Sequence, residues 1–138
     1  MPERSFIDTN ILVYAEVIDE PRKQKQALSL LRGLFESSCA VISTQVLQEY
    51  CNTAIRKLRL SSSHVREQLA LFEQFEVVQT TPALIHDALD LHQTRSLAFY
   101  DALIIAAALS AGCAALYTED MNGGERIDQL RIVNPFSA

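Results

Sequence analysis

No run of apolar residues in this 138-residue sequence approaches the roughly 20 that a helix needs to cross a bilayer. The longest, Ala102 to Leu109, falls far short, so no membrane is expected as a partner. The opening Met-Pro-Glu-Arg reaches Asp8 without the positive-then-apolar pattern of a secretory leader, and a cytoplasmic location is expected. Cysteine is scarce. Cys39, Cys51 and Cys113 are odd in number, widely spaced and set among apolar neighbours, with no C-x-x-C pair. That pattern argues for buried thiols and against a disulfide framework or a zinc site. No G-x-G-x-x-G follows the first apolar segment, and the one Gly pair, Gly123-Gly124, lies near the end, which excludes dinucleotide binding. Basic charge is in deficit as well. A net charge of -5 and a pI of about 5.1 are the reverse of what an indiscriminate nucleic-acid coat protein carries.

What remains is ordinary globular material. With 49% hydrophobic residues the chain can bury a sizeable core, and residues 1–138 read as a single domain without linker or internal repeat. Ser5-Phe6-Ile7 reads as a short buried strand that stops at Asp8-Thr9-Asn10, before a turn and a helix beginning near Ile11. Pro21 to Glu36 carries Ala27, Leu28, Leu31, Leu34 and Phe35 at helical spacing, with Pro21 suited to a first turn. Ala40-Val41-Ile42 is a second strand, and Ser43 or Thr44 caps a helix with Val46, Leu47, Tyr50, Ala54 and Leu58 on one face. A helix over His64 to Phe72 and a strand over Phe75 to Val78 follow. Thr81-Pro82 then opens a helix expected to turn Leu84, Ile85, Ala88, Leu91 and His92 inward. Phe99 to Gly112 is apolar nearly all round except at Asp101 and Ser110, which predicts a buried helix ended by Gly112 in a left-handed cap. Ala114 to Thr118 and Leu130 to Val133 supply the last strands. The β-α alternation predicts a three-layer α/β/α fold on a parallel sheet of about five short strands.

In an open parallel sheet, ligands bind beyond the carboxyl ends of the strands. Asp8 follows the first strand directly, Glu49 lies about two turns into the helix after the second, and Glu119-Asp120 follows the strand ending at Thr118. Asp101 stands at the start of an otherwise apolar helix. Carboxylates gathered on one rim repel each other unless cations lie between them, and all-oxygen ligand sets suit Mg2+ or Mn2+. Metals held in that way activate water and stabilise charge on a phosphate, so phosphodiester hydrolysis is the natural reaction.

Four segments in order, Phe6-Ile7-Asp8-Thr9-Asn10 through Ala15, Ser43 to Glu49, Tyr100-Asp101-Ala102 through Ala108, and Tyr117-Thr118-Glu119-Asp120-Met121, resemble the motifs of PIN domains. The likeness runs nearly end to end and is nearest to the VapC-like toxins of bacterial toxin-antitoxin pairs, including the ending Leu130 to Phe136. The resemblance implies a metal-dependent endoribonuclease with a Rossmann-like PIN fold, a homodimer, and a small cognate antitoxin. It also implies that Asp8, Glu49, Asp101 and Asp120 are the acidic catalytic and metal positions, with Thr9, Asn10 and Ser43 as polar support. Between the neighbours Glu119 and Asp120 the sequence does not decide, and motif alignment favours Asp120.

Each residue also has a plainer reading. Asp8 caps a helix, Asp101 complements a helix dipole, Glu49 is a solvated side chain, and Asp120 belongs to a turn before Asn122-Gly123-Gly124. Arg22, Lys23, Lys25 and Arg32, with Arg56, Lys57 and Arg59, are either solvated faces or an RNA-tracking rim. Two other functions compete: a phosphatase using Asp8 as nucleophile, which would want a second Asp where Asn10 stands, and a binding module that has lost an acidic position. No such position is lost.

Overall fold

The computed structural model describes residues 3–137. Three parallel strands open the chain, β1 (Ser5–Ile7), β2 (Ala40–Ser43) and β3 (Glu76–Val78), and a fourth, β4 (Ala115–Tyr117), pairs with β1 on its other side. The sheet order is β3-β2-β1-β4-β6-β5, where β6 is Leu130–Val133 and β5 is Arg126–Ile127. Order therefore reverses at β1, which puts a topological switch point between β1 and β4, where α/β sheets leave a crevice for ligands. In β1 and β2 every residue is buried, so side chains pointing to either face of the sheet are covered.

Each of the three crossovers carries two helices, as the separate apolar segments of the sequence indicated. They are α1 (Thr9–Tyr14) with α2 (Pro21–Glu36), α3 (Thr44–Arg56) with α4 (Ser62–Phe72), and α5 (Pro82–Arg95) with α6 (Phe99–Ser110). Local chemistry sets most ends. Ser43 accepts from Val46 N at 3.4 Å, Ser61 from His64 N at 3.1 Å and Thr81 from Leu84 N at 3.2 Å, while Pro21 and Pro82 occupy first-turn positions. The Ser61 cap starts α4 two residues earlier than its apolar pattern alone indicated. Past α6, Gly112 takes a φ of +69°, a left-handed cap that a side chain would strain.

Ala102 to Ala108 is buried without interruption, so α6 is a central core helix packed against α5 and β2. Three expectations need correction. The sheet has six strands rather than about five, because β5 pairs antiparallel with β6 through a turn at Asp128, and two residues are too few to show alternation. On α5 only Leu84 and Ala88 are buried, with Leu91 half-buried; Ile85 and His92 face outward, since the inward strip is one residue wide. Only Cys113 is buried, and Cys39 and Cys51 are half-buried. No helix of the described residues is long and apolar enough to cross a membrane.

Candidate active site

At the carboxyl ends of β1 and β4 a cleft of about 480 Å3 opens, lined by Asp8, Thr9, Asn10, Glu49, Asp101, Glu119 and Asp120 among others. The sheet does most of this work. Ile7 pairs with Tyr117, so the residues that follow, Asp8 and Thr118, emerge side by side. Thr118 is fully buried and acts as a hub. Its hydroxyl donates to Asp8 Oδ2 at 2.8 Å and accepts from Asn10 Nδ2 at 3.2 Å and from the Asp120 backbone N–H at 3.1 Å. Asp8 Oδ1 accepts from the backbone N–H of Thr9 at 2.7 Å, so the helix-capping role and a place in the cleft coexist in one side chain.

Asn10 and Thr9 orient the remaining acids. Asn10 Nδ2 donates to Asp120 Oδ2 at 3.0 Å while Asn10 Oδ1 accepts from Glu119 N at 3.1 Å, clamping the turn after β4 from both sides. Thr9 Oγ1 donates to Glu49 Oε1 at 2.8 Å, tying α3 to the start of α1. Asp101, in the first turn of α6, has no hydrogen bond to its carboxylate among the described residues. Ser43 does not line the cleft: it is buried and its hydroxyl caps α3. Glu119 lines the cleft, but its carboxylate is taken by Tyr14 Oη at 2.7 Å and Lys23 Nζ at 2.5 Å.

Charge density follows from this geometry. Burial, and then the neighbouring Glu49 and Asp120, push the Asp8 carboxyl up to about 6, against the lowering effect of its bonds to Thr118 and Thr9. Asp101 is raised for the same reasons, burial first and then Asp120 and Glu49. For Glu119 burial acts upward, but Lys23 and Tyr14 outweigh it and leave the carboxyl below its ordinary range.

The donor set is all oxygen, and two of its carboxylates are disfavoured as anions by burial and by each other, which is the chemistry that a hard divalent cation relieves. Among the described residues, no three His, Cys, Asp or Glu side chains already stand at ligand spacing. In donor chemistry the residues fit Mg2+ or Mn2+.

Two cleft residues lay inside the motif segments without being assigned a role. Gln45, 5% exposed, donates from Nε2 to the Tyr100 carbonyl at 3.2 Å, and its buried Oε1 has no partner among the described residues. Tyr100, 65% exposed, stands at the cleft beside Asp101. Of the basic residues considered for a rim, Lys57 lines the cleft, Lys23 is bound to Glu119, and Arg32 lines a separate apolar groove.

The chain belongs to the PIN domain family, whose model matches residues 5–128. In solved structures it is similar to a toxin-antitoxin complex from Klebsiella pneumoniae, with 20% identity and a TM-score of 0.70 over 97% of this chain and 99% of that one. It is also similar to Mycobacterium tuberculosis VapC20, a sarcin-ricin loop cleaving toxin, at 20% identity and TM-score 0.65 over 84% and 89% of the two chains. VapBC2 from Rickettsia felis, solved with a fragment of promoter DNA, gives 21% identity and 0.64 over 93% and 96%. At such identities the likeness speaks to the fold. No curated protein gives a significant sequence match.

Proposed function

We propose that this protein is a metal-dependent endoribonuclease consisting of a single PIN domain, and that it is the toxin of a toxin-antitoxin pair acting in the cytoplasm. The observation that carries the reading is the meeting of Asp8, Glu49, Asp101 and Asp120 in one cleft at the switch point of the sheet, two of them with raised pKa values. Asp8, Asp101, Asp120 and Glu49 would hold Mg2+ or Mn2+, which supplies an activated water and charge neutralisation at the scissile phosphate. The chain's own contribution is orientation. Thr118 and Thr9 fix Asp8, Asn10 fixes Asp120, and the Thr9 hydroxyl fixes Glu49. Lys57 offers a cation to a neighbouring phosphate, and exposed Tyr100 offers a face on which an unpaired base stacks. That pairing favours single-stranded or looped RNA.

An apolar groove between α2 and α4, where Leu28, Phe35 and Leu71 are exposed, supports an amphipathic protein partner, and a cognate antitoxin fits that chemistry. Ile85 and Leu89, exposed one turn apart on α5, support a homodimer. The phosphatase reading is weakened by Asp8 itself: it is 7% exposed and both of its oxygens accept hydrogen bonds, a poor posture for a nucleophile.

The test is cleavage of looped RNA by purified protein in Mg2+, Mn2+ or EDTA, with Asp101→Asn alongside. Cleavage only with a divalent ion, and none by the variant, is the expected result. Cleavage that persists in EDTA removes the metal mechanism.

A further inference from the structure

Glu119 is the fifth carboxylate at the cleft, next to Asp120 in sequence, and nothing in the proposed chemistry uses it. Its side chain is held in a latch at the wall of the cleft. Lys23 Nζ donates to Glu119 Oε2 at 2.5 Å and to Tyr14 Oη at 3.3 Å, and Tyr14 Oη donates to Glu119 Oε1 at 2.7 Å, closing a triangle. The ammonium also lies 4.8 Å from the Tyr14 ring centroid and 5.6 Å from that of Phe136, and these two rings meet edge to face at 4.9 Å. Lys23 comes from the start of α2, Tyr14 from the end of α1, and Phe136 from the chain beyond β6. Lys23 thus supplies the charge that neutralises this carboxylate, Tyr14 a second hydrogen bond, and Phe136 packs against both of these partners.

We propose that Lys23 is a positioning residue whose role is to keep Glu119 from competing with Asp120 for the cation. The inference rests on the reading of the cleft as a divalent-metal site. Released from Lys23, Glu119 is an unneutralised carboxylate one residue from Asp120, at the wall of the same cleft. An added anionic ligand tightens the hold on a hard cation while drawing it away from the arrangement that Asn10 sets through Asp120. Asn10 also accepts from Glu119 N, a backbone contact that survives any change of the Glu119 side chain.

The experiment is Mn2+ titration by calorimetry, with RNA cleavage measured in parallel, on wild type, Lys23→Met, Glu119→Gln, the double variant and Asp101→Asn. Methionine keeps an apolar stem between the Tyr14 and Phe136 rings. For Lys23→Met we expect about tenfold tighter Mn2+ binding with about tenfold slower cleavage. Glu119→Gln should resemble wild type. The double variant should return to wild type in both measurements, because the competing carboxylate is gone. A purely structural ion pair would lower stability in Lys23→Met without tightening Mn2+ binding, so a Lys23→Met protein that binds Mn2+ like wild type overturns the proposal, as does a double variant that keeps the tighter binding. If Asp101→Asn binds Mn2+ like wild type, the metal reading itself falls and takes the latch with it. If Asp101→Asn loses binding and Lys23→Met changes nothing, only the latch falls.

Discussion

Thr118 donates its hydroxyl hydrogen to Asp8 Oδ2 at 2.8 Å, joining two residues 110 positions apart at the ends of neighbouring parallel strands. The same oxygen accepts from Asn10 and from the Asp120 backbone, so one buried hydroxyl sets the relative placement of two cleft carboxylates.

Replacing Thr118 by Val keeps the shape and removes the hydroxyl. Asp8 loses a hydrogen bond that favours its charged form, so its pKa should climb further and the acid limb of the cleavage pH profile should move to higher pH. The groups left unsatisfied should cost about 1 to 3 kcal/mol of stability. Thr118→Ser should restore both properties. A pH profile unmoved in Thr118→Val would show that the hydroxyl only fills space.

Asp8 also gives metal-free stability a defined slope with pH. Its folded pKa, about 6, is raised from 3.8, so between those values the folded state binds more protons than the unfolded one. The cost of keeping this carboxylate buried and charged is therefore fully present above about pH 6 and is relieved as the pH falls from there. Asp101 acts in the same direction, whereas Glu119 and Glu76, whose carboxyls are held low, lose stabilisation only at more acid pH. In EDTA the melting temperature should rise from pH 7 to pH 5, with Asp8 contributing on the order of 3 kcal/mol at most. Asp8→Asn should flatten the rise. Mn2+ needs the carboxylate ionised, so metal-induced stabilisation should shrink over the same interval.

Much of this placement was legible in the sequence because it follows from strand ends. Asp8 and Asp120 lie one and three residues past β1 and β4, and the buried helix announced itself by Asp101 standing alone in an apolar segment. Thr118 was not legible as a hub, because its function exists only when β1 and β4 pair. Gln45 was hidden for a related reason: a polar residue in the first turn of α3 looks solvated until α6 covers it. The paired helices of each crossover were legible as separate apolar segments, but the start of α4 was not: apolar spacing begins it at His64, and only the Ser61 cap brings Ser62 and Ser63 into the helix.

Ser43 separates a structural from a functional reading. Its hydroxyl accepts from Val46 N at the start of α3 and it does not line the cleft. Ser43→Ala should lower stability by about 1 kcal/mol, the usual worth of a lost cap, and leave Mn2+ affinity as in wild type. Weaker Mn2+ binding at unchanged stability would place the hydroxyl in support of the metal instead.

Neutralising the acids themselves distinguishes cleft chemistry from fold maintenance most directly, and the structure makes the two central variants unequal. Asp101 has no hydrogen bond to lose among the described residues, and its charged form is opposed by burial, Asp120 and Glu49. Asp101→Asn should therefore raise the melting temperature in EDTA, by about 2 to 4 °C for each kcal/mol of relieved repulsion in a chain of this size. Its first-turn position works the other way. A carboxylate near a helix N-terminus gains about 0.3 to 1 kcal/mol from the dipole, and repulsion must exceed that for the rise to appear. Asp8→Asn gains the same kind of relief and keeps one oxygen for Thr9 N, but its amide meets the Thr118 hydroxyl, which must then turn to accept. That hydroxyl already accepts from Asn10 and Asp120 N, so crowding offsets the relief and the melting temperature should stay near wild type. Both variants should lose RNA cleavage, and both should gain less stability than wild type when Mn2+ is added. Variants that melt clearly lower in EDTA and still cleave RNA would mark these carboxylates as structural caps, and the proposed activity would need a different site.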